Sequence, residues 1–345
     1  MALVLVLAAA IWGLGHLLRV PGQARWTMIA LLYVAVLALN VALPDGHPAR
    51  EALGGSAGEW LVLGGLGVLV WLYSRGLKRL KERVRPENRK PEPVPGAFAE
   101  GELDRYARHI VLREIGGLGQ KRLKDAKVLV VGAGGLGSPA LLYLAAAGVG
   151  TVGVIDDDEV EATNLQRQVA HGDSRIGMPK VFSAEKAMRE VNPYVVVRPY
   201  HRRLSQEIAA DLIGDYDIVL DGTDSFETRY LVNRVCAEKG VPLIGAALSQ
   251  WEGQIATWAP RDGAPCYQCV FPEPPAPGLA PSCAEAGVLG PLPGVVGAMM
   301  AVEAVKEITG AGEGLRGRML IYDALFGETR MILTKRRADC PVCGG

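Results

Sequence analysis

Apolar positions along the chain fall into two regimes. Up to about residue 74 they follow one another almost without interruption; beyond it they recur in short bursts separated by glycine, proline and charge. Residues 3–18 and 26–43 are runs of spanning or nearly spanning length, since about 20 apolar residues cross a bilayer. A third run, 61–73, reaches that length only with the small residues from Gly54 onward, and Glu59 interrupts the extension. Trp26, Trp60 and Trp71 near the run ends suit a membrane–water interface. The pattern predicts three transmembrane helices over residues 1–74, against an alternative of two spans and one interfacial helix. A cleaved signal peptide is the rival reading of the first run, but Met1-Ala2-Leu3-Val4 lacks the positive side chains of such a leader.

From residue 97 onward the periods change. Lys127–Val131 reads as a short strand running straight into Gly132-Ala133-Gly134-Gly135-Leu136-Gly137, and 138–147 as a helix rich in Ala and Leu. Residues 151–155 read as a second strand ending in Asp156, nineteen residues beyond Gly137. That is the order of a mononucleotide-binding half: the glycines let the backbone approach phosphate at a helix N-terminus, and the acid reaches ribose hydroxyls. Gly177-Met178-Pro179-Lys180 opens another helix, 218–220 is a strand leading into Asp221-Gly222-Thr223-Asp224, and 231–240 lies in a helix. A further helix begins near Gly294, and strands cover 319–322 and 329–333.

Charge changes the picture by its placement. Lys and Arg total 37 and Asp and Glu 37, so no global basic field argues for nucleic acid. Arg19 and Arg25 flank the first short loop, the stretch from Asp45 to Glu59 is net acidic, and Arg75, Lys78, Arg79, Lys81, Arg83, Arg85, Arg89 and Lys90 follow the third run. The positive-inside rule then gives an external N-terminus and a cytoplasmic location for everything after Arg75. Residues 75–96 are expected to be a basic juxtamembrane segment against anionic headgroups, ending in the semi-rigid linker Pro91-Glu92-Pro93-Val94-Pro95-Gly96.

Six cysteines are present, and four of them form the pairs Cys266/Cys269 and Cys340/Cys343, about seventy residues apart. Two such pairs are the ligand set of a closed tetrahedral zinc site, with a redox Cys-x-x-Cys as the rival. Cys236 reads as a buried small hydrophobe. Cys283 follows a proline-rich stretch that is expected to cross the active site as a mobile flap. The expected fold class is therefore α/β: a Rossmann-like, mostly parallel sheet with a zinc-tied C-terminal region, preceded by transmembrane helices.

A bare glycine turn does not choose the nucleotide; its surroundings do. Asp156-Asp157-Asp158 is followed by Asn164-Leu165-Gln166-Arg167-Gln168, then Lys180 and Asp224 after successive elements. A guanidinium, an ammonium and a carboxylate so placed suit a triphosphate and its magnesium. Singly, Arg167 and Lys180 read as solvated surface charges. As a set they favour ATP over the cofactor of an NAD-dependent oxidoreductase.

Arg105-Tyr106-Ala107-Arg108-His109-Ile110, the Gly-Ala-Gly-Gly-Leu-Gly turn, Asn164-Leu165-Gln166-Arg167-Gln168, Pro265-Cys266-Tyr267-Gln268-Cys269 and Cys283-Ala284-Glu285-Ala286-Gly287-Val288-Leu289-Gly290 occur in one order. Together they resemble the ubiquitin-activating-type adenylyltransferases of the MoeB/ThiF/HesA family, over residues 100 to 345. The resemblance implies ATP-dependent adenylation of the C-terminal glycine of a ubiquitin-like sulfur carrier of the MoaD or ThiS type, for molybdopterin or thiamine biosynthesis. An ionised carboxylate is the nucleophile, so no general base is needed; the five histidines form no acid–base constellation.

Carried over by resemblance, Gly132, Gly134, Gly135, Gly137, Asp156, Asp158, Asn164, Arg167 and Lys180 would hold ATP, with Asp156 on the ribose and Asn164, Arg167 and Lys180 on the phosphates. Asp224 would bind Mg2+, and Cys266, Cys269, Cys340 and Cys343 would bind Zn2+. Arg108 would reach the neighbouring subunit's ATP, which implies a homodimer; a surface arginine is the plainer reading. Cys283 would be either catalytic or merely retained. The family's usual members are soluble, so a membrane anchor is a departure. With the chain ending at the second cysteine pair, sulfur is expected from a separate sulfurtransferase or cysteine desulfurase. The competing class is a non-catalytic, nucleotide-binding membrane scaffold for sulfur transfer.

Overall fold

The computed structural model describes residues 2–18, 20–44, 46–84, 96–276 and 286–344, with the backbone alone for 78–84. They group into two compact units, one within Met1–Asn88 and one within Arg89–Gly345.

In the first unit, α1 (Ala2–Leu17) and α2 (Gly22–Ala42) are followed by the short α3 (Pro48–Leu53) and the long α4 (Ala57–Val84). Val4, Val36 and Trp60 are buried together, with Tyr33, Leu37 and Leu53 packed on them. The Tyr33 hydroxyl donates to the Trp60 carbonyl at 2.7 Å, and the Trp60 indole N–H donates to the Gly54 carbonyl at 2.9 Å. Beyond this small core the unit carries its apolar residues outward. Leu31, Val41, Leu61, Val62, Leu66 and Val70 are all exposed. Gly22–Ala42 and Pro48–Leu77 are long and apolar enough to cross a membrane, whereas Ala2–Leu17 is a shorter apolar helix. The third apolar run does not stop at residue 73: the helix continues through Arg75 to Val84. Nothing in that stretch breaks a helix; the first proline beyond it is Pro86, and residues before proline leave the α region. The basic residues from Arg75 to Arg83 thus extend a helix, while the linker expected at 91–96 falls almost wholly outside the described residues.

The second unit begins with α5 (Glu102–Arg105), α6 (Ala107–Ile110) and α7 (Gly116–Asp125). A Rossmann-like half follows: β1 (Lys127–Val131), α8 (Gly137–Ala147), β2 (Thr151–Asp156), α9 (Lys180–Val191), β3 (Val196–His201), α10 (Gln206–Gly214), β4 (Ile218–Asp221), α11 (Phe226–Lys239) and β5 (Leu243–Leu248). The chain then turns to β6 (Glu252–Trp258), α12 (Tyr267–Val270), α13 (Pro291–Thr309), β7 (Arg318–Asp323) and β8 (Glu328–Leu333). The sheet order is β3-β2-β1-β4-β5-β6-β7-β8, parallel from β3 to β5 and antiparallel from β5 to β8.

Why β1 reads as an uninterrupted apolar run is visible in its packing. Val128 and Val130 face a core with α8, α9 and α13; Leu129 and Val131 face the opposite core with α10 and α11. A strand buried on both faces has no polar side to show. Because β1 feeds β2 on one side and lies beside β4 on the other, a crevice opens at the carboxyl ends of β1 and β4, where open α/β sheets bind ligands.

The arm that precedes α7 is pinned by a buried ion pair. Lys124 Nζ lies 2.7 Å from Glu102 Oε1, with the side chains 2% and 1% exposed. The Tyr106 hydroxyl donates to Glu102 at 3.1 Å and accepts from Asn192 Nδ2 at 2.8 Å, and the same Asn192 nitrogen reaches the Ala145 carbonyl. Such a network fixes geometry more than it adds stability, since desolvating both charges offsets much of their attraction.

Candidate nucleotide site and cysteine centre

The glycine turn joins β1 to α8 at the sheet's switch point. Gly132 sits at φ +92°, which a side chain strongly disfavours. Gly137 is required for a different reason: a Cβ there would collide with the Gly132 carbonyl, so only glycine lets α8 start this close to the strand. Gly134 and Gly135 line the mouth of the turn. A Cβ at Gly134 would lie 3.7 Å from Gln168 Nε2, and one at Gly135 would lie 3.7 Å from Arg167 Cγ. The segment 164–168 therefore lies against the turn, and Arg167 Nη2 donates to Asn164 Oδ1 at 3.0 Å.

Asp156 ends β2 and ties the acidic segment to the turn. Its Oδ2 accepts the Ala133 N–H at 2.7 Å and its Oδ1 accepts the Asp158 N–H at 2.8 Å. Each oxygen keeps a further lone pair free to accept. Burial raises its pKa above the usual carboxylate value, opposed by the Ala133 hydrogen bond and the Lys180 charge. Lys180, buried at the start of α9, donates to Asp158 Oδ2 at 2.7 Å. Glycine turn, Asp156, Asp158 and Lys180 are thus one connected set.

The fourth corner comes from β4. Asp221 Oδ1 accepts both the N–H and the hydroxyl of Thr223, at 3.0 and 2.6 Å, which turns the chain; Gly222 and Thr223 lie against Gly132, and Asp224, the next residue, is exposed. Buried Arg229 braces this loop: its Nη2 donates to the carbonyls of Thr223 at 2.6 Å and Ala246 at 2.9 Å, and its Nε lies 3.5 Å from Asp221 Oδ2. An exposed carboxylate is the kind of group that could hold magnesium, which keeps several waters and takes one or two carboxylates plus substrate phosphates.

Arg108 is not part of this set. It is exposed on α6, and its neighbour Tyr106 packs on Gly148, at the opposite end of α8 from the glycine turn. Eleven residues of helix separate those ends, about 16 Å. Cys283 lies outside the described residues.

The four paired cysteines converge. Sγ–Sγ separations are 3.9 Å for Cys266–Cys269, 3.6 Å for Cys266–Cys340 and 3.4 Å for Cys269–Cys343. Four sulfurs at about 2.3 Å from a tetrahedral zinc lie about 3.8 Å apart, so the donor set fits the ion. All four thiols are free and buried. Burial opposes ionisation of Cys340, but the backbone N–H groups of Val342 and Cys343 and the neighbouring thiols outweigh it and bring its pKa down to about 7. The Arg337 N–H reaches Cys269 Sγ at 3.4 Å, an outer contact of the kind that orients a metal ligand. Buried Cys236 stands apart, its thiol pushed up by burial, as a core residue should be.

Sequence reasoning missed His171, Gln168 and Arg229, all buried against the site. Gln168 lies inside the 164–168 motif, and Arg229 sits in the first turn of α11, five residues after Asp224; neither forms a pattern of its own.

A ThiF family model matches residues 106–342, wholly within the second unit. The sulfur carrier protein adenylyltransferase of Thermus thermophilus is 49% identical over 251 residues, covering 72% of this chain and 93% of that protein. The SAMP-activating enzyme E1 of Haloferax volcanii is 50% identical over 243 residues, covering 70% and 89%. The solved structure of E. coli MccB with ATP superimposes with a TM-score of 0.62 at 20% identity, over 92% of this chain and 91% of that one, which establishes the fold. On the family match and the two relatives, the chain belongs to the ThiF family.

Proposed function

We propose that the protein is an adenylyltransferase for a ubiquitin-like sulfur carrier: it joins the carrier's C-terminal carboxylate to the AMP moiety of ATP and releases pyrophosphate. The observation that carries this reading is the connected set of Ala133, Asp156, Asp158 and Lys180 at the glycine turn, with Arg167 beside it and the Gly222–Thr223 loop, which leads into Asp224, against Gly132. The two relatives, named for sulfur-carrier adenylation and SAMP activation, point to the same substrate class.

Each group has a task. Asp156 holds the ribose, and Asn164, Arg167 and Lys180 contact the phosphates. Asp224 holds a magnesium ion, whose charge would offset that of the phosphates. Positioning and charge neutralisation are most of what phosphate chemistry asks of a protein. No base is required, because the attacking carboxylate is already ionised at neutral pH. His171 fits that picture, since both of its ring nitrogens are engaged elsewhere. Cys266, Cys269, Cys340 and Cys343 hold structural zinc. Arg108 serves the active site of the second subunit in a homodimer, being remote from its own. The carrier belongs to molybdopterin or thiamine biosynthesis, and a separate sulfurtransferase or cysteine desulfurase supplies the sulfur.

The first unit anchors the enzyme in a bilayer, with the second unit cytoplasmic. Its outward-facing leucines and valines and its two long apolar stretches support this, and alkaline carbonate extraction that releases the protein from membranes would count against it. The function itself is tested by ATP–pyrophosphate exchange, with purified MoaD-type and ThiS-type carriers offered in parallel. Exchange with one carrier, abolished by Asp224→Ala, establishes adenylation and selects the pathway. Bound ATP without exchange on either carrier favours a nucleotide-binding scaffold instead.

A further inference from the structure

His171 lies buried beneath the glycine turn with both ring nitrogens at hydrogen-bond distance. Nε2 is 2.9 Å from the Ala133 carbonyl oxygen and Nδ1 is 2.9 Å from Ser183 Oγ. A carbonyl can only accept, so the proton sits on Nε2; in the neutral ring Nδ1 then accepts the Ser183 hydroxyl. Burial holds the imidazole below the usual histidine pKa, against the pull of the Ala133 hydrogen bond and with the help of the Lys180 and Arg175 charges. Ser138 Oγ donates to the same Ala133 carbonyl at 3.2 Å.

This has a directional consequence. The Ala133–Gly134 peptide is planar and trans, so its oxygen and its N–H point to opposite sides. With the oxygen held inward by two side chains, the Gly134 N–H is turned toward the mouth of the site, and among the described residues nothing accepts it. Rotating that peptide by half a turn would aim a carbonyl oxygen at the phosphates. Glycine on one side of the bond makes such a rotation easy unless something opposes it.

We propose that His171 is a positioning residue: as the Nε2–H tautomer it locks the Ala133–Gly134 peptide so that the Gly134 N–H faces the nucleotide phosphates. Through Ser183 it also ties the turn to α9, whose first residue is Lys180. The proposal rests on the reading of the turn as an ATP site.

The test uses the full-length chain in detergent, comparing His171→Leu, which has no donor, with His171→Gln, which keeps an N–H. Removing His171's donor raises the Kd and KM for ATP about ten- to a hundredfold, the weight of a hydrogen bond to a charged group, with kcat little changed. His171→Gln recovers most of the loss, and metal content at the cysteines stays constant in both. Histidine-selective 15N NMR supplies a second readout: the wild-type signal missing from folded His171→Gln reports a neutral ring protonated at Nε2. Unchanged ATP affinity in His171→Leu, or a wild-type ring protonated at Nδ1, overturns the proposal. If wild type binds ATP but exchanges no pyrophosphate with either carrier, the adenylation reading fails while the binding comparison still decides the role of His171.

Discussion

Lys180 Nζ lies 2.7 Å from Asp158 Oδ2, yet the lysine side chain is 6% exposed and the aspartate 66%. The ammonium is buried while its counter-ion remains open to solvent, so under the proposed function an arriving phosphate would displace the aspartate and take over a charge already in place. Lys180→Ala should lower kcat/KM for pyrophosphate exchange on the order of 10²–10³-fold, the range for losing a preorganised phosphate or oxyanion donor. Asp158→Asn should lose much less, because the Asp158 carbonyl still accepts the Lys180 backbone N–H at 2.9 Å. Steady-state kinetics of the two variants decides this; equal losses would mean the pair matters only as a pair.

Metal removal should loosen the second unit. Structural zinc contributes on the order of 10 kcal/mol in small zinc domains, and a fraction of that shifts the Tm of a domain this size by roughly ten degrees. Scanning fluorimetry with and without a strong chelator, and with Cys340→Ser, reads the shift. A Tm indifferent to chelator but sensitive to thiol oxidation would favour the redox reading of the cysteine pairs.

If Arg108 serves the partner's site, two dead variants should rescue each other. Arg108→Ala and Asp224→Ala each abolish exchange alone, while mixed dimers formed from equal amounts regain about a quarter of wild-type activity, since half the dimers carry one intact site. No recovery on verified mixing would place Arg108 in its own subunit's chemistry or in none.

The ion pairs differ in what they hold. Lys124→Met leaves Glu102 buried and unpaired, and is expected to destabilise the second unit by about 3–5 kcal/mol. Removing Arg203 from its pair with Glu227, where the side chains are 62% and 84% exposed, should change stability by about 0–1 kcal/mol. Denaturant unfolding of the two variants provides the contrast.

His171 also sets a pH dependence. Its pKa is lowered on folding, so the folded state binds fewer protons than the unfolded chain below about pH 6.5; stability is present above that value and is lost as pH falls through it. Asp156, raised by burial, has the opposite sign and acts in the more acidic carboxylate range, where its contribution falls as pH rises. His171→Gln should therefore flatten the Tm profile below about pH 6.5. A slope there identical to that of wild type would show that the ring titrates normally.

Much of the nucleotide half is local, and so it is legible in the chain. Lys127–Val131, the glycine turn, Asp156 and the start of α9 are each announced by neighbours in sequence, and they appear where that reading put them. The strands that went unread have no such signal. β3 carries Pro199, and β5 and β6 meet through Ser249, Gln250 and Trp251 rather than a glycine-bearing hairpin turn. Their strand character comes from partners: Ala246 faces Ile255 and Ile255 faces Leu320 across the antiparallel half. His171 was unreadable for the same reason. Its contacts lie 38 and 12 residues away, and a lone loop histidine carries no period. The convergence of the cysteines was legible because the spacing within each pair is itself the chemistry.

The last strand bears on how the protein would fail. All six residues of β8 are exposed, and one of its edges is unpaired among the described residues. A few residues later the chain is gathered into the cysteine cluster, so the strand is held by β7 on one flank and by the four sulfurs beyond its end. Oxidants that consume those sulfurs would free the strand's far end and leave a bare ladder of N–H and C=O groups carrying Met331 and Leu333, a template for pairing with other chains. Light scattering should then rise before ATP binding is lost, so that oxidative damage to this enzyme would surface in a cell first as insolubility.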